Sequence, residues 1–141
     1  MLSIDTNTMT IALTRGDTAS IVFSATDENG TVTPSTGDKL KFAVAKKWGA
    51  EPIFEIQTEK TALNTADDFW TIVIGGNNEW YQKDDDGNVV LDGDKKIDLF
   101  KFADYVWDCQ YISVSGEVST IIGKTDDISP TFRVLGEAAT E

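Results

Sequence analysis

The chain has 141 residues, with 12 basic and 24 acidic side chains, no histidine and one cysteine. The resulting net charge of −12 argues against nucleic acid and anionic membranes as partners, because phosphate binding needs a basic face. Without histidine there is no Ser–His or Cys–His nucleophile pair and no His-ligated zinc, and one cysteine permits no internal disulfide.

Met1-Leu2-Ser3-Ile4-Asp5 has neither a basic nor an apolar leader pattern, so folding in a cytoplasm is expected. From there the dominant hydrophobic period is two. Strands are predicted at about 9–14, 18–26, 39–47, 52–57, 69–75, 88–91, 104–114, 117–123 and 130–135. Within them Ile21 and Phe23, Leu40, Phe42 and Val44, Ile72, and Trp107 and Cys109 fall on apolar phases, marking Phe23, Phe42, Ile72, Trp107 and Cys109 as core. Gly/Asn/Asp clusters at Arg15-Gly16-Asp17, Asp27-Glu28-Asn29-Gly30, Gly37-Asp38, Gly75-Gly76-Asn77-Asn78, Asp86-Gly87-Asn88 and Ser115-Gly116 supply the turns. The best helical stretch is one turn at Asp94–Lys101. The longest apolar run, Phe69–Ile74, is six residues, against the roughly 20 a membrane-spanning helix needs. Short strands without crossover helices predict an all-β chain: one antiparallel β-sandwich domain over 1–136 with a short polar tail at 137–141.

Residues 76–101 interrupt the rhythm as a polar excursion, an acidic hairpin or loop inserted between core strands. Residues 61–141 hold 16 of the 24 acidic groups. Asp84, Asp86, Asn88, Asp92 and Asp94 are hard oxygen ligands at close spacing, but an EF-hand loop from Asp84 would need Gly and Glu where Val89 and Lys95 stand. A solvated acidic turn is preferred, and no metal or cofactor is expected. Arg15-Gly16-Asp17 spells an adhesion tripeptide, yet a strand-connecting turn accounts for it. Cys109 reads as a small core hydrophobe. Trp70 and Trp107 read as core, while Trp48 and Trp80 lie beside turns, where exposed rings would suit a sugar or a protein partner. In the excursion, Trp80, Tyr81, Val89 and Leu91 among charges have the composition of an aromatic anchor in a polar rim. Pro52 near the start of its strand suits a sheet edge.

Thr10-Ile11-Ala12-Leu13-Thr14-Arg15-Gly16-Asp17-Thr18, then Gly37-Asp38-Lys39-Leu40-Lys41-Phe42-Ala43-Val44, then Tyr105-Val106-Trp107-Asp108-Cys109-Gln110-Tyr111, Gly116-Glu117-Val118-Ser119-Thr120-Ile121-Ile122 and Pro130-Thr131-Phe132-Arg133-Val134 follow one another in order. This succession resembles a family of small structural domains of tailed phages, and is similar to the N-terminal domains of siphophage baseplate upper proteins. The resemblance implies an Ig-like sandwich that joins other virion proteins, made in the bacterial host cytoplasm and carried in the virion. The expected function is therefore non-enzymatic: a baseplate, tail or head-decoration protein acting through assembly contacts with other virion proteins or with itself. The alternative is a carbohydrate- or host-surface-binding module. Trp48, Trp80, Tyr81, Val89 and Leu91 are the expected interface.

Overall fold

The structure, a computed structural model, describes residues 2–62, 68–75, 80–88, 90–93, 95–96 and 103–136. The strands among them are β1 (Leu2–Asp5), β2 (Thr10–Thr14), β3 (Ala19–Ser24), β4 (Thr26–Asp27), β5 (Gly30–Thr31), β6 (Lys39–Ala45), β7 (Pro52–Glu59), β8 (Phe69–Ile74), β9 (Leu91–Asp92), β10 (Lys95–Lys96), β11 (Asp104–Ile112), β12 (Val118–Ile122) and β13 (Thr131–Leu135). The all-β expectation holds. β1, β2, β13, β11, β6 and β7 lie side by side in that order, and β12 joins the same sheet by pairing with β11. β3 and β8 form a separate two-stranded sheet, and β4–β5 and β9–β10 are short hairpins.

The large sheet is mixed, not purely antiparallel as expected. β13 runs parallel to β2, from Thr131 opposite Thr10 to Leu135 opposite Thr14. Parallel neighbours need a long connection, and nearly the whole chain lies between these two. β1 was not anticipated. It forms a hairpin with β2 through residues 6–9, where the Asp5 carboxylate accepts the N–H groups of Asn7 and Thr8. Met9 closes that loop at φ +55°. Its carbonyl accepts the Trp107 indole N–H at 3.0 Å and the Thr131 N–H at 3.2 Å. The predicted strand at 18–26 breaks at Ala25, after which β4 and β5 turn through Gly30. Of the predicted helical turn at 94–101, Lys95–Lys96 form β10 and the remainder lies outside the described residues.

Alternation explains the core. Leu40, Phe42 and Val44 on β6, Ile21 and Phe23 on β3, and Trp70, Ile72 and Ile74 on β8 all point into one buried cluster. Phe42 is its hub: its ring lies 5.4 Å from Trp107, 6.1 Å from Phe23, 6.2 Å from Phe54 and 6.4 Å from Phe132. Trp70 meets Tyr111 edge-on at 5.5 Å. The inner face of β3–β8 thus covers β6 and β11. All five predicted core residues are buried.

One charged side chain is fixed at the margin of this core. Asp38, just before β6, is 5 % exposed. Its Oδ2 accepts the Ser35 N–H at 2.9 Å and the Tyr111 hydroxyl, and its Oδ1 accepts the Val114 N–H at 2.8 Å. Its carbonyl accepts the Lys60 N–H, and the Lys60 carbonyl accepts the Gly37 N–H, each at 2.8 Å. Burial alone would raise the Asp38 pKa, but the three donors together outweigh it and hold the carboxyl below its ordinary value.

Replacing Asp38 with alanine orphans three donors. The expected cost is about 2–4 kcal/mol, given ~1–3 kcal/mol per buried group left unsatisfied. Because the folded pKa is depressed, this stabilisation is complete above the unfolded value near 3.8 and is lost as pH falls through the lower folded value. Urea titrations should show the wild type losing stability through that acid window more steeply than Asp38→Ala. Equal slopes would mean that the carboxylate is not the stabilising species.

Candidate interaction surface

The excursion is less peripheral than its polarity suggests. Trp80 is fully buried and Tyr81 nearly so. The Trp80 indole N–H donates to the Asp17 carbonyl at 2.9 Å, and its ring lies 6.3 Å from that of Phe132. Both residues are therefore corrected from exposed anchor to core, and Trp80 packs on Phe132 of β13. Leu91 is exposed, as expected of an interface residue, and Val89 lies outside the described residues. Trp48 is half-buried, its indole N–H donated to Ser129 Oγ at 3.0 Å. It borders a cleft of about 120 Å³ with Pro52, Val106 and Asp108. Of the four described residues, Trp80 and Tyr81 belong to the core, which leaves Trp48 and Leu91 with exposed area.

The remaining sequence candidates resolve into structural roles. The Asp84 carboxylate accepts the N–H groups of Asp86 and Asn88 at 3.0 and 2.9 Å, closing the turn that the Asp-Gly-Asn sequence predicts. Among the described residues no three acidic, cysteine or histidine groups converge as a metal site would require. Gly16, at φ +93°, turns the chain between β2 and β3, and the half-buried Asp17 lends its carbonyl to Trp80. Burial, reinforced by the Asp108 charge, pushes the Cys109 thiol up to about 12, so it stays protonated at neutral pH and is a poor nucleophile.

A different surface meets the requirements for contact. On β3–β8, the register sets Ser20, Val22 and Ser24 opposite Val73, Thr71 and Phe69 on the outward face. Val22, Phe69 and Val73 are 61, 47 and 57 % exposed. They form a diagonal apolar stripe among hydroxyls, and none of the six side chains on the face is charged. Diagonal neighbours across a strand pair lie within reach of one another. The stripe is held firmly from beneath. Lys60, itself buried, donates its ammonium to the Phe69 carbonyl and sits 4.9 Å from the centre of the Trp70 ring.

The sequence does carry a signal for this face. Phe69-Trp70-Thr71-Ile72-Val73-Ile74 is apolar on both phases, a pattern typical of strands buried on both sides. Among the described residues only one side is covered here.

Elsewhere, a hydroxyl-lined concavity of about 420 Å³ on the outside of β1 and β2 includes Ser3, Thr8, Thr10 and Arg133. Arg133 is engaged there by a two-point pair with Asp104, at 2.8 and 3.2 Å. The concavity has no aromatic ring in its wall. No protein-family model, curated protein or solved structure matches the chain.

Trp80→Phe keeps most of the ring but leaves the Asp17 carbonyl without its indole donor. A loss of about 1–3 kcal/mol in stability is expected, read as a lower midpoint in chemical denaturation. An unchanged midpoint would return Trp80 to the surface.

Proposed function

We propose that the chain is a non-enzymatic structural module of a tailed-phage virion that works by protein–protein contact. The observation that carries this reading is the outward face of β3–β8: a neutral, apolar stripe of Val22, Phe69 and Val73 on a chain of net charge −12. Exposed apolar area without charge marks a contact surface on a soluble domain, and depletion of charge is the compositional signature of an interface core. The ordered resemblance to siphophage structural domains supplies the virion context.

The finer fold reading is a variable-type Ig-like sandwich. The neighbours β13-β11-β6-β7 correspond to the G-F-C-C′ sheet of that architecture and the β3–β8 pair to its B and E strands. The Phe23–Trp107 contact at 6.0 Å joins the two layers, at a level where many Ig domains have a disulfide. The inserted acidic hairpin then lies between strands E and F, with Trp80 and Tyr81 anchoring its base.

A sugar-binding role draws less support, since burial of Trp80 removes one of its two candidate rings. Val22→Lys and Val73→Lys, both at exposed positions, should change stability by no more than about 0.5 kcal/mol while excluding the protein from particles. Mass spectrometry of purified virions, with circular dichroism as the folding control, reads both. Variants that fold and enter particles at the wild-type level would dismiss this face as the contact.

A further inference from the structure

The two ends of the large sheet are built differently. β7 closes one end with the devices that discourage strand addition: Pro52 as its first residue, and exposed Glu51, Glu55 and Glu59 alongside. β1 closes the other end with none of them. It has no proline and no lysine, and its single charge is Asp5 at the far end. All four of its residues are exposed, and among the described residues no strand pairs with its outer edge. Leu2 and Ile4 stand opposite Leu13 and Ile11 in the β1–β2 ladder, so they continue the buried apolar row of β2. Yet they are 36 and 45 % exposed. An open edge with an uncovered apolar row is a template for another strand.

We infer that β1 pairs antiparallel with β1 of a second copy of this chain, across a two-fold axis at Ser3. The register follows from the pleat. Residues directly opposite share a face, and the register that pairs both apolar residues sets Leu2 against Ile4 of the second copy and Ser3 opposite its own counterpart. A shift by one residue would place Leu2 and Ile4 on the hydroxyl face.

Charge at the edge itself does not oppose this occupant, and the apolar row is complementary to its own copy. Two copies of a chain with net charge −12 repel over most of their surfaces, but here the two Asp5 carboxylates fall at opposite ends of the shared ladder. Four residues of strand rise separate them by roughly 13 Å along it, beyond the screening length of about 8 Å at physiological salt. The contact is short, so it belongs to the weak class that gains strength from multiple attachment.

Full-length Ser3→Cys tests the pairing, because facing Cα atoms about 4.5–5.5 Å apart suit a disulfide and the native Cys109 is buried. Under mild oxidation at high protein concentration, Ser3→Cys should form covalent dimers several-fold faster than Ser115→Cys, placed in the exposed β11–β12 turn. Adding Ile4→Lys should return the rate to that background, and added salt should raise it by screening the net charge. Ser20→Cys reports in parallel on the outward face of β3–β8. Sedimentation velocity of the wild type and of Ile4→Lys, without any introduced cysteine, should show weak self-association only in the former. Linking at background rate, linking indifferent to Ile4→Lys, or self-association that persists in Ile4→Lys would each overturn the proposal.

Discussion

The large sheet is wider than the layer that covers it, and much of the molecule follows from that mismatch. Among the described residues six strands lie abreast, while the smaller sheet facing them has only β3 and β8. Those two cover β6 and β11, where Phe42, Trp107 and Tyr111 meet Phe23 and Trp70. Beyond them the sheet needs other cover. Trp80 supplies it over Phe132, drawn from a segment whose neighbours are nearly all polar. Among the described residues nothing covers Leu2 and Ile4 to the same degree. A two-stranded sheet is marginal alone, so β3–β8 depends on this shared core for its existence, and its outward face has no such constraint.

The Asp38 carboxylate secures the margin of the same core. It binds the turn before β6 to the end of β11, through the hydroxyl of Tyr111 and the amide of Val114, two segments far apart in sequence. Its backbone then pairs with Lys60 at the end of β7, whose ammonium reaches the start of β8. One buried acid is thereby linked through one buried lysine to the strand that bears the exposed stripe. A buried charge is tolerated when its lone pairs are met by donors, and here the donors come from the elements whose mutual placement matters. The Gly37-Asp38 pair in the sequence is therefore a fastening as well as a turn.

Much of the fold was legible because period-two alternation is a local signal. β2, β3, β6, β8, β11, β12 and β13 lie within a few residues of the runs that predict them, and Pro52 correctly marked a sheet edge. What was not legible depends on non-local facts. The parallel β2–β13 pairing joins the two ends of the domain, and no local pattern encodes it. β1 has only four residues and no buried side chain, so it lacks the contrast that makes a strand visible. Trp80 and Tyr81 were misjudged because their neighbours are charged. Burial of an aromatic ring is decided by which surface it meets, and for Trp80 that surface includes the ring of Phe132. The stripe on β8 has a sequence signal in its two-sided apolarity, a pattern it shares with strands covered on both faces.

The two surfaces left open differ in geometry as well as in composition. A strand added at β1 extends the large sheet within its plane, using main-chain groups and a short apolar row. Contact through Val22, Phe69 and Val73 stacks on the second layer, perpendicular to that plane and through side chains alone. The two do not share a residue, so occupation of one leaves the other free. Acidic charge over the rest of the surface works against both in the same way, by opposing close approach of copies except where the contacting face is neutral. Weakly charged patches at different orientations on an acidic chain make any association through them directional. Direction is what distinguishes assembly from aggregation: the same apolar area spread over the acidic surface would give neither a defined register nor a closed contact.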